Sequence, residues 1–374
     1  MADLLWVLEE ELHRRWISEV YQHRGYERSE SDCAAKWAGM ATRHGNKTHA
    51  AIKALHLEEL FGRGAQLCTP AAQIRELESR FDAVCRVDCQ GKLGQPVAEW
   101  AMERACRLAD RFGVGVVIAD NAFHYLWGGG YVMEAARAGY IAYTNCTSAL
   151  AEVSPFKGKS PTLGTNPHSW GFPTAAMVGF PIVMDFATSG VAMGAVQSAA
   201  REGRKLASTE WAVDAAGQPT DDPARVSALM PMGGRSSGHK GYMLGLLNEL
   251  YAAFGGGSVP TLRGKPPQAG AGQVKRTSVF YFQAVHPDAL SSAGFASPAD
   301  RDGNVKAVLD DILGHGNREA GAILPGELEH QARLRSDAAG GLIFSDAEKR
   351  EILTVCAESG VSGASEAAFQ ALSR

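Results

Sequence analysis

The chain has 374 residues, a formal net charge of −4 with a pI near 6.3, and 45% hydrophobic against 21% charged side chains. A charge balance so close to neutral offers no chain-wide positive field for nucleic acid or an anionic membrane surface, while the apolar fraction is enough for a large globular core. Residues 1–16, MADLLWVLEEELHRRW, scatter acids among apolar side chains, unlike a secretory leader, and no run approaches a membrane span. Seven scattered cysteines, an odd number, read as reduced thiols, so the expected location is the cytoplasm.

In chain order, Leu4, Leu5, Leu8, Leu12, Trp16 and Val20 recur at three-to-four spacing and predict an amphipathic helix. Val97, Trp100, Ala101, Ala105, Leu108 and Phe112 predict a second helix over 96–112, with Pro96 near its first turn and Gly113 placed to end it. The β-branched run 114–119 follows as a buried strand, leaving Asp120, Asn121 and His124 at its end. Runs at 140–143, 181–184 and 279–282 read as further buried strands, and 241–254 as a helix buried on most sides. Helices return at 305–313 and 347–357, joined through a turn at Leu324-Pro325-Gly326-Glu327. The class expected is α/β, with a helical lobe from 1–90 and 320–374 and a sheet lobe over 91–319.

A Gly-x-Gly-x-x-Gly nucleotide fingerprint is absent. Gly128-Gly129-Gly130 comes nearest, but Met133 stands at the third glycine. The segment from Gly233 to Gly241 resembles a phosphate loop, yet it inserts His239 and has no hydroxyl after Lys240. Its glycines and cation would receive an anion at a helix start, the alternative being a flexible loop with a helix cap. A nucleotide-utilising transferase on this loop would also need acidic magnesium ligands at recognisable spacing, and none is found. Cys85 and Cys89 have no partner pair with zinc spacing, so no metal is expected. Around His44, the stretch Thr42 to His49 gathers cations and imidazoles; a lone histidine is more often structural than catalytic. Asp185 closes an apolar run just before Thr188 and Ser189, an arrangement that serves a ligand or caps a helix equally well.

Taken together, from about residue 38 to the end, the chain resembles the malate/L-lactate dehydrogenase family. The resemblance is carried by His44-Gly45, Gly94-Gln95, Gly113-Val114-Gly115-Val116 with Asn121 and His124, Gly164-Thr165-Asn166-Pro167, Asp185-Phe186-Ala187-Thr188-Ser189, Trp211-Ala212-Val213-Asp214 with Thr220 and Pro223, Gly238-His239-Lys240-Gly241-Tyr242 with Glu249, and Pro325-Gly326-Glu327. It implies a non-Rossmann mixed sheet flanked by helices, a homodimer, and hydride transfer between NAD or NADP and a 2-oxo acid, a 2-hydroxy acid or a cyclic imino acid. It places His44 as general acid/base with Asp185 as its partner acid, and His124 near the substrate. Thr165, Asn166, Thr188, Ser189, His239, Lys240 and Gly241 then line the cofactor.

The chain departs from the family where an arginine normally follows the histidine by four residues; here that residue is Thr48, and Arg43 stands where serine is usual. Arg43 or Lys47 is expected to take over the substrate carboxylate beside Thr48, unless the substrate lacks one there. Arg201, Arg204 and Lys205 form a basic cluster suited to a 2′-phosphate or to a solvated helix face, so the choice of dinucleotide stays open. The alternative to an enzyme is a silent nucleotide-binding or regulatory protein on the same fold.

Overall fold

The protein is described by a computed structural model covering residues 4–62, 68–256, 277–291 and 298–372. Its first element is a strand, β1 (Leu5–Leu8), and the helix expected from Leu4 begins only at Glu10 as α1 (Glu10–His23). Glu10 and Glu11 supply the acidic first turn that suits a helix N-terminus. The leucines before them are drawn off by pairing that no local pattern reveals. β1 lies antiparallel between β11 (Leu342–Ser345) and β12 (Gln370–Ala371), with Trp6 opposite both Phe344 and Ala371.

Helices α2 (Arg28–Arg43) and α3 (Ala51–Phe61) follow, α2 opening with a capping box between Glu27 and Glu30. With α1 and the late helices α10 (Glu327–Ala339) and α11 (Asp346–Glu358) they surround the small sheet, burying Leu8, Trp16, Ile17, Leu342, Phe344 and Ile352 in one apolar cluster.

The larger sheet holds seven strands. In chain order they are β2 (Arg75–Leu77), β3 (Val84–Lys92), β4 (Val114–Ala122), β5 (Ile141–Cys146), β6 (His168–Phe172), β7 (Ile182–Phe186) and β10 (Ser278–Val285), in spatial order β2-β3-β4-β10-β5-β6-β7. Among the described strands only β3 and β4 run parallel, joined by the crossover helix α4 (Gly94–Phe112), which ends on the left-handed Gly113. The sheet is therefore mixed and flanked by helices, as the resemblance implied. Since β3 is one of its members, the boundary read at 90/91 falls inside a strand.

Alternation along β6 and β7 sorts their side chains by face. Ser169 and Asp185, opposite one another in register, turn toward α5 (Gly128–Arg137). Trp170 and Phe186 turn the other way and stack with His168 and Tyr143. A short helix α6 (Ala175–Val178) links β6 to β7, and α7 (Met193–Arg201) follows. A pair of short strands, β8 (Ala212–Val213) and β9 (Ala228–Leu229), then leads into α8 (Gly234–Phe254); α9 (Pro298–Leu313) lies beyond β10. α8 is not buried on most sides, contrary to its apolar sequence: Met243, Leu247, Leu250, Tyr251 and Phe254 are all exposed, Phe254 by 92%. Among the described residues no helix is long and apolar enough to cross a membrane.

Candidate active site

The glycine triplet that fails as a nucleotide fingerprint has a different use. It begins α5 where β6 and β7 pass close, so a Cβ on Gly128 would meet Ser169 Oγ at 2.4 Å, and one on Gly129 would meet the Trp127 indole nitrogen at 2.6 Å and Asp185 Cγ at 3.2 Å. Bare backbone there lets the Asp185 carboxylate settle against the helix start. It accepts a hydrogen bond from Ser169 Oγ at 2.6 Å and is further bonded by the Trp127 indole and the Gly129 amide. Crowding of the carboxyl by protein raises its pKa, and the three donors partly oppose the rise. The residue is nonetheless exposed to solvent.

His44 ends α2, and its ring packs on Trp127 with centroids 5.6 Å apart. Its Nδ1 lies 2.9 Å from the Met40 carbonyl, which can only accept, so Nδ1 carries the proton and Nε2 bears the lone pair. Arg137 Nη2, from the last turn of α5, donates to that Nε2 at 3.2 Å. Burial lowers the His44 pKa to about 4; the Met40 bond works against this, while the charges of Arg137, Arg333 and Arg43 add to it. Trp127 thus stands between the expected pair: it packs on His44 and bonds Asp185, and the acid's own partners are Ser169, Trp127 and Gly129. The ring's tautomer is set by a backbone carbonyl, a neighbour the sequence could not single out.

The other expected substrate groups divide. Arg43 is held by Glu10 and Asp337, and Lys47 by the Ile343 carbonyl and Glu348. Thr48, exposed, bonds Asn46 and His49. His124 lies half-buried beyond β4, its pKa lowered to about 4 by desolvation and then by the charge of Lys53, which also acts on half-buried His49. Trp127, Ser169 and Arg137 were missed by sequence reasoning. Trp127 alone left a signal, standing immediately before the glycine triplet.

The segment leaving β7 links this end to α8. Thr188, buried, bonds the Thr165 carbonyl, and its own carbonyl accepts from Met232 N; Ser189 bonds Val191. Asn166 is fully buried and donates to the Gly245 carbonyl and to Glu249. These four therefore brace the loop with internal bonds. Gly241 has a packing role, since a Cβ there would meet Met232 backbone at 2.6 Å. His239 and Lys240 are exposed on the first turns of α8, His239 packing edge-on against Phe156. Beside them opens a cavity of about 510 Å³ whose wall carries Lys157, Lys159 and Arg235. Glu210 holds one amide of the helix start, that of Arg235. Of the basic cluster, Arg204 pairs with Glu202 and Lys205 with Asp221; the Arg201 side chain lies outside the described residues.

A family profile described as malate/L-lactate dehydrogenase matches residues 8–352. A Δ1-pyrroline-2-carboxylate reductase of Ancylobacter novellus is 30% identical over 69% of this chain and 72% of its own length. An L-sulfolactate dehydrogenase of Methanocaldococcus jannaschii is 32% identical over 68% and 70%. The crystal structure of Δ1-piperideine-2-carboxylate reductase from Pseudomonas syringae superposes with a TM-score of 0.75 at 26% identity, covering 93% of this chain and 99% of that one.

Proposed function

Because the chain belongs to the malate/L-lactate dehydrogenase family, we propose that it moves hydride between a nicotinamide dinucleotide and a small 2-oxo acid, its 2-hydroxy counterpart or a cyclic imino acid, with His44 as the acid/base. The observation that carries the role of His44 is its tautomer: a ring anchored through Nδ1 presents a basic Nε2 to whatever binds beside Trp127. The relatives' names support the substrate class, since they act on Δ1-pyrroline-2-carboxylate, on Δ1-piperideine-2-carboxylate and on sulfolactate.

The residues present fit a dinucleotide. Lys157, Lys159 and Arg235 in the wall of the 510 Å³ cavity, with Lys240 exposed nearby on α8, suit a diphosphate, provided that Glu210 yields its amide. When bound, the nicotinamide supplies the hydride chemistry. The chain's own work is to orient and to handle one proton. In oxidation Nε2 takes the hydroxyl proton as the C–H bond gives up its hydride; in reduction the protonated ring returns it to the oxygen or the imine nitrogen. Asp185, fixed by Ser169 and the start of α5, orients Trp127 and through it the floor of the site.

Purified protein mixed with NADH or NADPH and a panel of 2-oxo acids and cyclic imines should show loss of reduced-nicotinamide absorbance with at least one pair. Tight dinucleotide binding without turnover on any member would instead favour a silent binding protein, the reading that Thr48 suggests.

The dimer is part of the same proposal. Met243, Leu247, Leu250 and Phe254 form one open stripe along α8, more apolar surface than a lone helix normally leaves in water. Leu250→Glu should shift the protein from dimer to monomer in light scattering. A wild-type mass of one chain would remove the dimer.

A further inference from the structure

Thr48 leaves the substrate's carboxylate without its customary cation, and three cations that could stand in for it are engaged elsewhere. Arg43 answers to Glu10 and Asp337, Lys47 to Glu348 and the Ile343 carbonyl, and Arg333 to Asp337. Arg137 is placed differently. It rises from the last turn of α5, and among the described residues its carboxylate partner is Glu134, an open i,i+3 surface pair of the kind that contributes little. Its other amino group lies 3.2 Å from Nε2 of His44.

We propose that Arg137 is the residue that grips the substrate's carboxylate and so sets the preference for 2-oxo and 2-imino acids. The inference rests on the hydride-transfer reading above. The argument is one of spacing. In a 2-oxo acid the reacting oxygen and the near carboxylate oxygen sit on adjacent carbons, side by side. Two neighbouring hydrogen-bonding nitrogens a little over 3 Å apart, one able to exchange a proton and one permanently cationic, match that pair. On binding, the substrate replaces the direct contact between the nitrogens: its oxygen or imine nitrogen takes Nε2, and its carboxylate takes the guanidinium, which keeps further N–H donors for a second bond. Glu134 is outcompeted because its own pair is solvated. An arginine arriving from α5 does for the carboxylate what one arriving from the His44 loop would do.

The test compares Arg137→Met, Arg137→Lys and Lys53→Met with the wild-type full chain, Lys53 being a cation whose charge acts on His124 and His49. Two quantities are read: the KM of whichever panel acid turns over, against its methyl ester, and the affinity of the dinucleotide-saturated protein for oxamate, an unreactive carboxylate analogue. Arg137→Met should raise KM and the oxamate Kd by roughly 30- to 300-fold, erase the preference for acid over ester, and leave dinucleotide affinity and thermal midpoint near wild type. Arg137→Lys should recover only part, a lysine lacking the fork. Unchanged KM and oxamate binding in Arg137→Met, or a loss that follows Lys53→Met instead, would overturn the assignment while leaving the enzyme reading intact. A wild type that turns over no acid or imine and binds no oxamate would overturn both.

Discussion

His44→Ala is expected to lower kcat by roughly 100- to 10,000-fold on any substrate the wild type turns over, with dinucleotide affinity unchanged, because positioned proton transfer is worth about that much. Alanine removes the ring's bonds to Met40 and Arg137 and its contact with Trp127, but the ring itself belongs to neither main apolar core, so the loss should fall on the chemical step. The pH dependence gives a sharper check. Burial, then the surrounding arginines, holds the His44 pKa near 4 in the free protein, so Nε2 is available as a base throughout the neutral range. Hydroxy-acid oxidation should therefore be flat in His44-dependent kcat/KM from about pH 8 down to pH 6. Reduction needs the protonated ring and should accelerate as the pH falls over the same interval. In His44→Ala both dependences should vanish along with the rate. A variant within threefold of wild type would remove His44 from the mechanism.

Acid should begin to destabilise the protein near pH 6.5, before its carboxylates titrate. Burial lowers the pKa of His13 to about 3 and those of His44, His49 and His124 to about 4, and it also depresses His168. Each folded value lies below the unfolded one near 6.5, so the unfolded chain takes up protons first as pH drops. The stability these rings contribute is complete above about pH 6.5 and is lost progressively toward pH 4. His13 is the clearest case. Its ring is fully buried against Phe344, both nitrogens lack a hydrogen-bond partner among the described residues, and the charge of Lys47 adds to the penalty. At pH 4 keeping it neutral costs about 3 kcal/mol by linkage. His13→Leu, of similar volume, should be neutral or stabilising at pH 8 and should raise the urea midpoint at pH 5 relative to wild type. If the two midpoints stay parallel between pH 8 and pH 5, His13 is not part of the acid response.

Several features could be read from the sequence because local pattern and final environment agree. Helix α4 and strand β4 appear where periodicity and Gly113 put them, since an apolar stripe followed by a β-branched run meets one core from both sides. The order of His44, Asp185 and the Gly238–Gly241 stretch was enough to bring the family into view, and the profile match bears that out. Where local pattern misled, the cause was distant partners. Leu5 to Leu8 share a helical spacing with Trp16, yet residues more than three hundred positions away pair them as a strand. The apolar composition of α8 implied burial, but among the described residues no neighbour covers its outer face.

The sequence by itself determined the chemistry at hand: a basic imidazole, an acid at a strand end, a glycine-rich helix start, and a missing arginine. Only the tertiary structure decided who meets whom. It put Trp127 between His44 and Asp185, gave the ring's tautomer to the Met40 carbonyl, and brought Arg137 from α5 to Nε2 of His44. These are contacts between elements distant in the chain or bonds to backbone atoms. Neither leaves a residue pattern to read, because any side chain with the same fold would offer the same carbonyl, and an arginine in a last helical turn reads as an ordinary surface charge.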